Sequence, residues 1–148
     1  MALKSDRYEL QTDISFFYND GVATRGGVVC HDVTAGTGAA MDQGVNLVKY
    51  STSGVPVGVL LNDVVNKDLT RTHLNQYKDE VQKGGKVTVL RKGYVVTNNL
   101  DGNPVAGSGA FASTSAAGNI SMTGDYQVGR FLSAKDADGY AKVEVNLP

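Results

Sequence analysis

The chain has no tryptophan, one cysteine, two histidines and three prolines in 148 residues. A single cysteine, Cys30, excludes an intrachain disulfide and fits assembly in a reducing compartment. Charge of neither sign prevails: 14 Lys and Arg stand against 15 Asp and Glu. That balance gives no basic footprint for nucleic acid and no acidic tail. Apolar runs are only a few residues long, far short of a membrane span, and the opening "MALKSDRYEL" lacks the apolar stretch of a signal peptide. Neither nucleic acid nor membrane is therefore expected as a partner.

What is present is glycine, 18 residues of it, with valine and small polar residues throughout. This mixture favours strands broken by tight turns, and the length suits one domain with a real core. The first segment alternates strictly: Tyr8, Leu10, Thr12, Ile14, Phe16 and Tyr18 against Glu9, Gln11, Asp13 and Ser15. Eleven extended residues would span about 36 Å, long for a strand in so small a domain. Residues 1–18 therefore read as an N-terminal arm or long strand, and 19–148 as a single β domain. Tyr8, Leu10, Ile14, Phe16, Phe17 and Tyr18 are the candidate contact residues for another subunit.

From Asn66 to Gly85 the texture changes. Leu69, His73, Tyr77 and Val81 fall in an i, i+4 row, Asp68 can cap the start, and Gly84-Gly85 can end the run. The spacing predicts a helix over Asp68 to Val81, a helical insertion near 66–85. Strand texture resumes at "KVTVLRKGYVV", with a bend expected at Gly93, and "DADG" (Asp136 to Gly139) reads as a hairpin tip. The fold class is mainly β: a small barrel-like or tulip-like domain with an extended N-terminal strand or arm and one short helix.

One phrase occurs twice. Val57-Gly58-Val59-Leu60-Leu61 and Val128-Gly129-Arg130-Phe131-Leu132 share Val-Gly and a later Leu, each preceded by a glycine-rich stretch and followed by a further strand. Two similar halves would explain this, and so would chance likeness between Gly-Val strands.

The sequence shows no catalytic constellation. Cys30 and His31 are adjacent in a strand and point to opposite faces. No paired ligand spacing supports a metal. "GTGAAM" lacks the third glycine and the helix of a dinucleotide loop, and "DADG" lacks the later ligands of a calcium loop. Ser113 and Ser115 have no base nearby in sequence, and Asp79-Glu80 beside Lys78 reads as solvated charge. No catalytic residue, cofactor or metal ligand is expected.

Several phrases together carry a resemblance: "ELQTDISFFYNDGVATRGGVV", "GAAMDQGVNLV", "VPVGVLLNDVVNKDLTRTHLNQYKDEVQKGGKVTVLRKGYVVTN" and "VGRFLSAKDADGYAKVEVNLP". They resemble small virion proteins of tailed bacteriophages, notably those of marine cyanobacteria, and the layout is similar to head decoration (cement) proteins. The resemblance implies a non-enzymatic, often trimeric β domain. It would be made in the host cytoplasm, bind the major capsid protein on the outer surface of the head, and engage capsid subunits through an N-terminal arm. The insertion at Asn66 to Gly85 departs from the smallest such proteins. A tail, head-completion or fibre-base protein is the alternative role.

Overall fold

A computed structural model describes residues 3–4, 6–21, 23–32, 46–63, 80–81 and 84–147. The elements are β1 (Tyr8–Tyr18), β2 (Ala23–Thr24), β3 (Val28–His31), β4 (Asn46–Lys49), β5 (Pro56–Asp63), β6 (Glu80–Val81), β7 (Lys86–Thr97), β8 (Gly109–Ala112), β9 (Ile120–Ser121), β10 (Gln127–Phe131) and β11 (Ala141–Asn146). The protein is mainly β, as composition and alternation required, and no helix occurs among the described residues. The expected helix over Asp68 to Val81 lies outside the described residues up to position 79. Its last two positions are extended, because Glu80 and Val81 form β6 and pair with β2. Val81 is buried among apolar side chains.

One sheet holds nine strands in the order β1-β4-β3-β5-β7-β11-β10-β8-β9. β1 also pairs with β7, so β1, β4, β3, β5 and β7 form a closed circuit of pairings, from which β11, β10, β8 and β9 continue. β7 organises the molecule. Its twelve residues pair with β1, β5 and β11. Its valines and threonines suit the half-buried surface of a pleated strand. At Gly93, where a bulge or bend is expected, β7 runs on unbroken with an irregular backbone, and the register irregularity beside it places the extra residue on β1. Gly93 has φ +142°, and a Cβ there would lie 1.9 Å from the Tyr8 carbonyl oxygen, so only glycine fits.

Two apolar clusters share β5 and β7 as walls. Val28, Val59, Leu61, Leu90, Val95, Ile120, Val128, Phe131 and Val143 belong to the larger cluster. Phe16, Tyr18, Val29, Val48, Leu60, Val81, Val87 and Val89 belong to the second. Phe131, Leu60, Leu61, Leu90 and Ile120 are among the largest fully buried side chains. Each such side chain contributes about 1.5–3 kcal/mol of gross burial free energy.

The repeated phrase has a structural meaning. The stretch β3-β5-β7-β11-β10-β8 reads opening strand, Val-Gly strand, closing strand, and then the same three reversed. The registers agree as well. Val29 faces Gly58 as Ala110 faces Gly129, and Val28 faces Val59 as Gly109 faces Arg130. Toward the closing strands, Val59 faces Leu90 as Arg130 faces Glu144, and Leu60 faces Val89 as Phe131 faces Val143. Both glycines sit against a closing-strand carbonyl: a Cβ would meet Leu90 O at 2.3 Å from Gly58 and Glu144 O at 1.7 Å from Gly129. Two equivalent halves, rather than chance likeness, account for the phrase.

The "DADG" tip is a turn as expected. Asp136 Oδ1 accepts hydrogen bonds from the Asp138 and Tyr140 backbone N–H groups, each at 2.9 Å. Its carboxyl is held below the usual range by the Tyr140 N–H first of all.

Candidate functional site

β1 is a strand of eleven residues with the bounds its alternation predicts, but its faces change midway. Tyr8, Leu10 and Ile14 are 53%, 65% and 52% exposed, whereas Phe16 and Tyr18 are buried and Phe17 is half-buried. The six candidate contact residues therefore divide: three lie outside and two belong to the second core cluster. The cause is local. The β1–β7 register slips at Glu9/Gln11, at Gln11/Thr12 and between Asp13 and Phe16. The two slips around Gln11 cancel, since Tyr8 opposite Tyr94 and Thr12 opposite Leu90 share one register. The slip between Asp13 and Phe16 persists and re-aims the side chains that follow, because strand side chains repeat with period two. The last slip coincides with a side-chain turn in which Ser15 N and Ser15 Oγ donate to Asp13 Oδ1 at 2.8 and 2.6 Å. Those bonds hold the Asp13 carboxyl below its ordinary value.

β1 is tied to the body along one flank, from Tyr8 opposite Tyr94 to Phe17 opposite Lys86. Just ahead of it, Leu3 bridges Thr97 and is buried in the larger cluster. On the other flank β4 pairs only with Phe16, Phe17 and Tyr18. Tyr8 to Ser15 therefore present a flank with no strand partner among the described residues. Unpaired N–H and C=O groups beside exposed apolar side chains form a template for another chain.

The exposed end of β1 is held in place. Tyr8 stacks on Tyr94 with ring centroids 6.1 Å apart and planes 24° from parallel. Lys142 Nζ sits 3.9 Å from the centre of the Tyr94 ring. Beside them is a shallow hollow of about 330 Å³ lined by Tyr8, Leu10, Lys92, Gly93, Glu144, Val145 and Asn146. A second, of about 520 Å³, borders Gly107, Gly109, Gln127, Gly129 and Arg130 and shares Glu144 and Asn146 with the first. Sequence reasoning missed Tyr94, Arg130 and Glu144. Their only local signal is that they occupy the outward positions of their strands.

The other groups weighed for chemistry serve the fold. Cys30 is buried, and burial pushes its thiol up to about 11, which makes it a poor nucleophile. His31 packs edge-on against Phe16, while Asp32 accepts from Asn19 Nδ2 and pairs with Lys49. Ser113 and Ser115 both donate to Asp101 Oδ2, at 2.8 and 3.0 Å, stapling two loops. No group of three or more metal-ligating side chains occurs among the described residues. His73 and Asp79 lie outside them.

A strand-built body presenting a pre-ordered apolar strip on a partly unpaired strand is the form of an assembly protein, one that works through contact with other chains. The family comparison makes this specific. The model of the family "Structural cement protein (E217 gp24/Pam3 gp6)" matches residues 7–146, and the chain belongs to this family of phage structural cement proteins. Its role is that of a virion structural protein that stabilises the capsid. A search of the curated proteins finds no match.

Proposed function

We propose that this cement protein decorates the outer surface of the head, takes the major capsid protein as its partner, and has no enzymatic activity. It is made in the host cytoplasm and joins the shell as a homo-oligomer, for which the resemblance implies a trimer. The circuit of strands, to which β1 itself belongs, is the barrel-like body, the helical insertion falls within 66–79 ahead of β6, and residues 1–18 supply the contact element. The observation that carries this reading is the exposed strip Tyr8, Leu10 and Ile14 on a strand whose outer flank, over Tyr8 to Ser15, has no strand partner among the described residues.

Magnitudes favour several contacts acting together. Burying the exposed half of three such side chains supplies roughly 2.5–5 kcal/mol gross. Association costs about 4–15 kcal/mol in lost freedom. One strip alone thus binds weakly. Copies joined in an oligomer, or held beside one another on a lattice, bind firmly through effective concentration.

The test uses heads lacking this protein. The intact chain should co-sediment with them and raise the temperature at which they release DNA. A triple Tyr8→Ser, Leu10→Ser, Ile14→Ser variant should melt only a few degrees lower, for loss of the Tyr8–Tyr94 stacking, and lose most binding. Truncating residues 1–18 is the poorer test, because it also takes Leu3, Phe16 and Tyr18 out of the two clusters. Full binding by the triple variant removes the strip from the mechanism. Absence of binding by the intact chain moves the protein to a tail or head-completion position.

A further inference from the structure

A straight row of paired residues crosses five strands of the sheet. Gly109 on β8 faces Arg130 on β10, Arg130 faces Glu144 on β11, Glu144 faces Tyr94 on β7, and Tyr94 faces Tyr8 on β1. Residues paired in this way point to the same face. Here it is the outer face, since the alternate residues Phe131, Val143, Val145 and Val95 fill the larger cluster. Arg130 and Glu144 stand directly opposite each other, yet neither makes an ion pair or a side-chain hydrogen bond within the described residues.

This row is complementary to itself. A two-fold axis lying along the strands, midway between Arg130 and Glu144, reverses the row onto a second copy. Arg130 then meets Glu144 of the second copy, and Glu144 meets its Arg130. The same operation brings Tyr94, held between Tyr8 and Lys142, over the second copy's Gly109, beside which the Phe111 ring lies 2.8 Å from where a Cβ would stand. Opposite charges meet opposite charges, and a ring meets a ring. A two-fold interface needs this kind of self-match. We propose that the outer face of β8, β10, β11 and β7 docks on the same face of a second copy of this chain, sheet against sheet, with Arg130 and Glu144 exchanging partners across the axis.

The patch is small. Four strands span three spacings, roughly 14 Å, and about five residues along each strand add roughly 17 Å. The projected area, on the order of 250 Å², lies well below the ~800 Å² per partner of a standard interface. The dimer is therefore weak in dilute solution and fills when copies are crowded together. This inference goes beyond the capsid-binding reading and is tested without a capsid.

The full-length chain is followed by sedimentation velocity from about 10 μM to about 1 mM, a range that covers weak association. It should pass from monomer to dimer. Arg130→Glu and Glu144→Arg variants should each weaken dimerisation on the order of tenfold or more, since like charges then meet across the axis. The decisive sample is an equimolar mixture of the two folded variants, which should dimerise again, because each copy supplies what the other lacks. A merely structural effect of either substitution is not repaired by mixing. A chain that stays monomeric, an oligomer indifferent to both variants, or a mixture that stays monomeric overturns the proposal.

Discussion

Replacing Gly129 with alanine would drive a methyl carbon into the backbone of β11. The added Cβ would lie 1.7 Å from the Glu144 carbonyl oxygen, 2.8 Å from the Glu144 carbonyl carbon and 3.1 Å from Val145 Cα. The obstacle is main chain and cannot rotate aside, so β10 and β11 must part by well over an ångström. Over-packing of this kind costs about 1–3 kcal/mol. The Gly129–Val145, Arg130–Glu144 and Phe131–Val143 register is also disturbed, adding roughly 1 kcal/mol for each backbone hydrogen bond lost. The expected total is about 3–5 kcal/mol, a large part of the ~5–15 kcal/mol typical of a whole domain. At this chain length it corresponds to a fall in melting temperature of roughly 6–20 °C. Calorimetry of the isolated protein measures it. Gly58→Ala, aimed at Leu90 O, should behave alike because the two glycines hold equivalent places. Gly21→Ala, with nothing within 4 Å, should stay within about 0.5 kcal/mol of the parent. A Gly129→Ala protein melting within about 2 °C of the parent would refute both the close approach and the reasoning from it.

Three further outcomes are expected. Tyr50→Phe removes a hydroxyl that donates to the Thr24 carbonyl and accepts from the Gly27 N–H, so urea unfolding should show a loss of about 1–3 kcal/mol; a loss below about 0.5 kcal/mol would mean those groups find other partners. Cys30, its thiol raised to about 11 by burial, should resist a thiol-reactive probe at about pH 8 until the chain is unfolded, and rapid labelling of the native protein would contradict its burial. The Asp101 carboxyl is held below 3.8 by the Ser113 hydroxyl and then by Ser115. A depressed folded-state value contributes stability above the unfolded value and loses it as pH falls through the folded one. The melting-temperature gap between the parent and Asp101→Asn should thus narrow from about pH 6 to about pH 2, and a gap independent of pH would count against these bonds.

Much of this architecture was legible in the chain, and the parts that were not share a cause. The bounds of β1, the irregular backbone at Gly93 and the tip at Asp136 to Gly139 are all local matters of alternation and turn chemistry. The doubled Val-Gly phrase was readable because both glycines meet the same obstacle, a neighbouring carbonyl. The sense of β1 was not. Alternation places Tyr8 and Tyr18 on one face, but the slip between Asp13 and Phe16 turns the strand over, and it depends on pairing with β7. The row from Gly109 to Tyr8 is less visible still. Its members lie far apart in the chain, and only the pairing of five strands aligns them. Membership in the cement family was readable from whole phrases, which carry more than single residues can.

The laying of β1 against β7 bears on how the molecule meets force. Over most of its length β1 runs antiparallel to β7, with ladder bonds perpendicular to both strands. A tug along β1 from a neighbour in an expanding shell loads those bonds in shear, all at once, whereas a pull at right angles would open them one by one. β7 carries the load onward to β5 on one side of the molecule and to β11 on the other, and so to both apolar clusters. On the proposal that β1 is the contact strand, the protein is a clip that holds to a threshold and yields in a single step, with a strength that depends on the direction of pull as much as on the free energy of the fold.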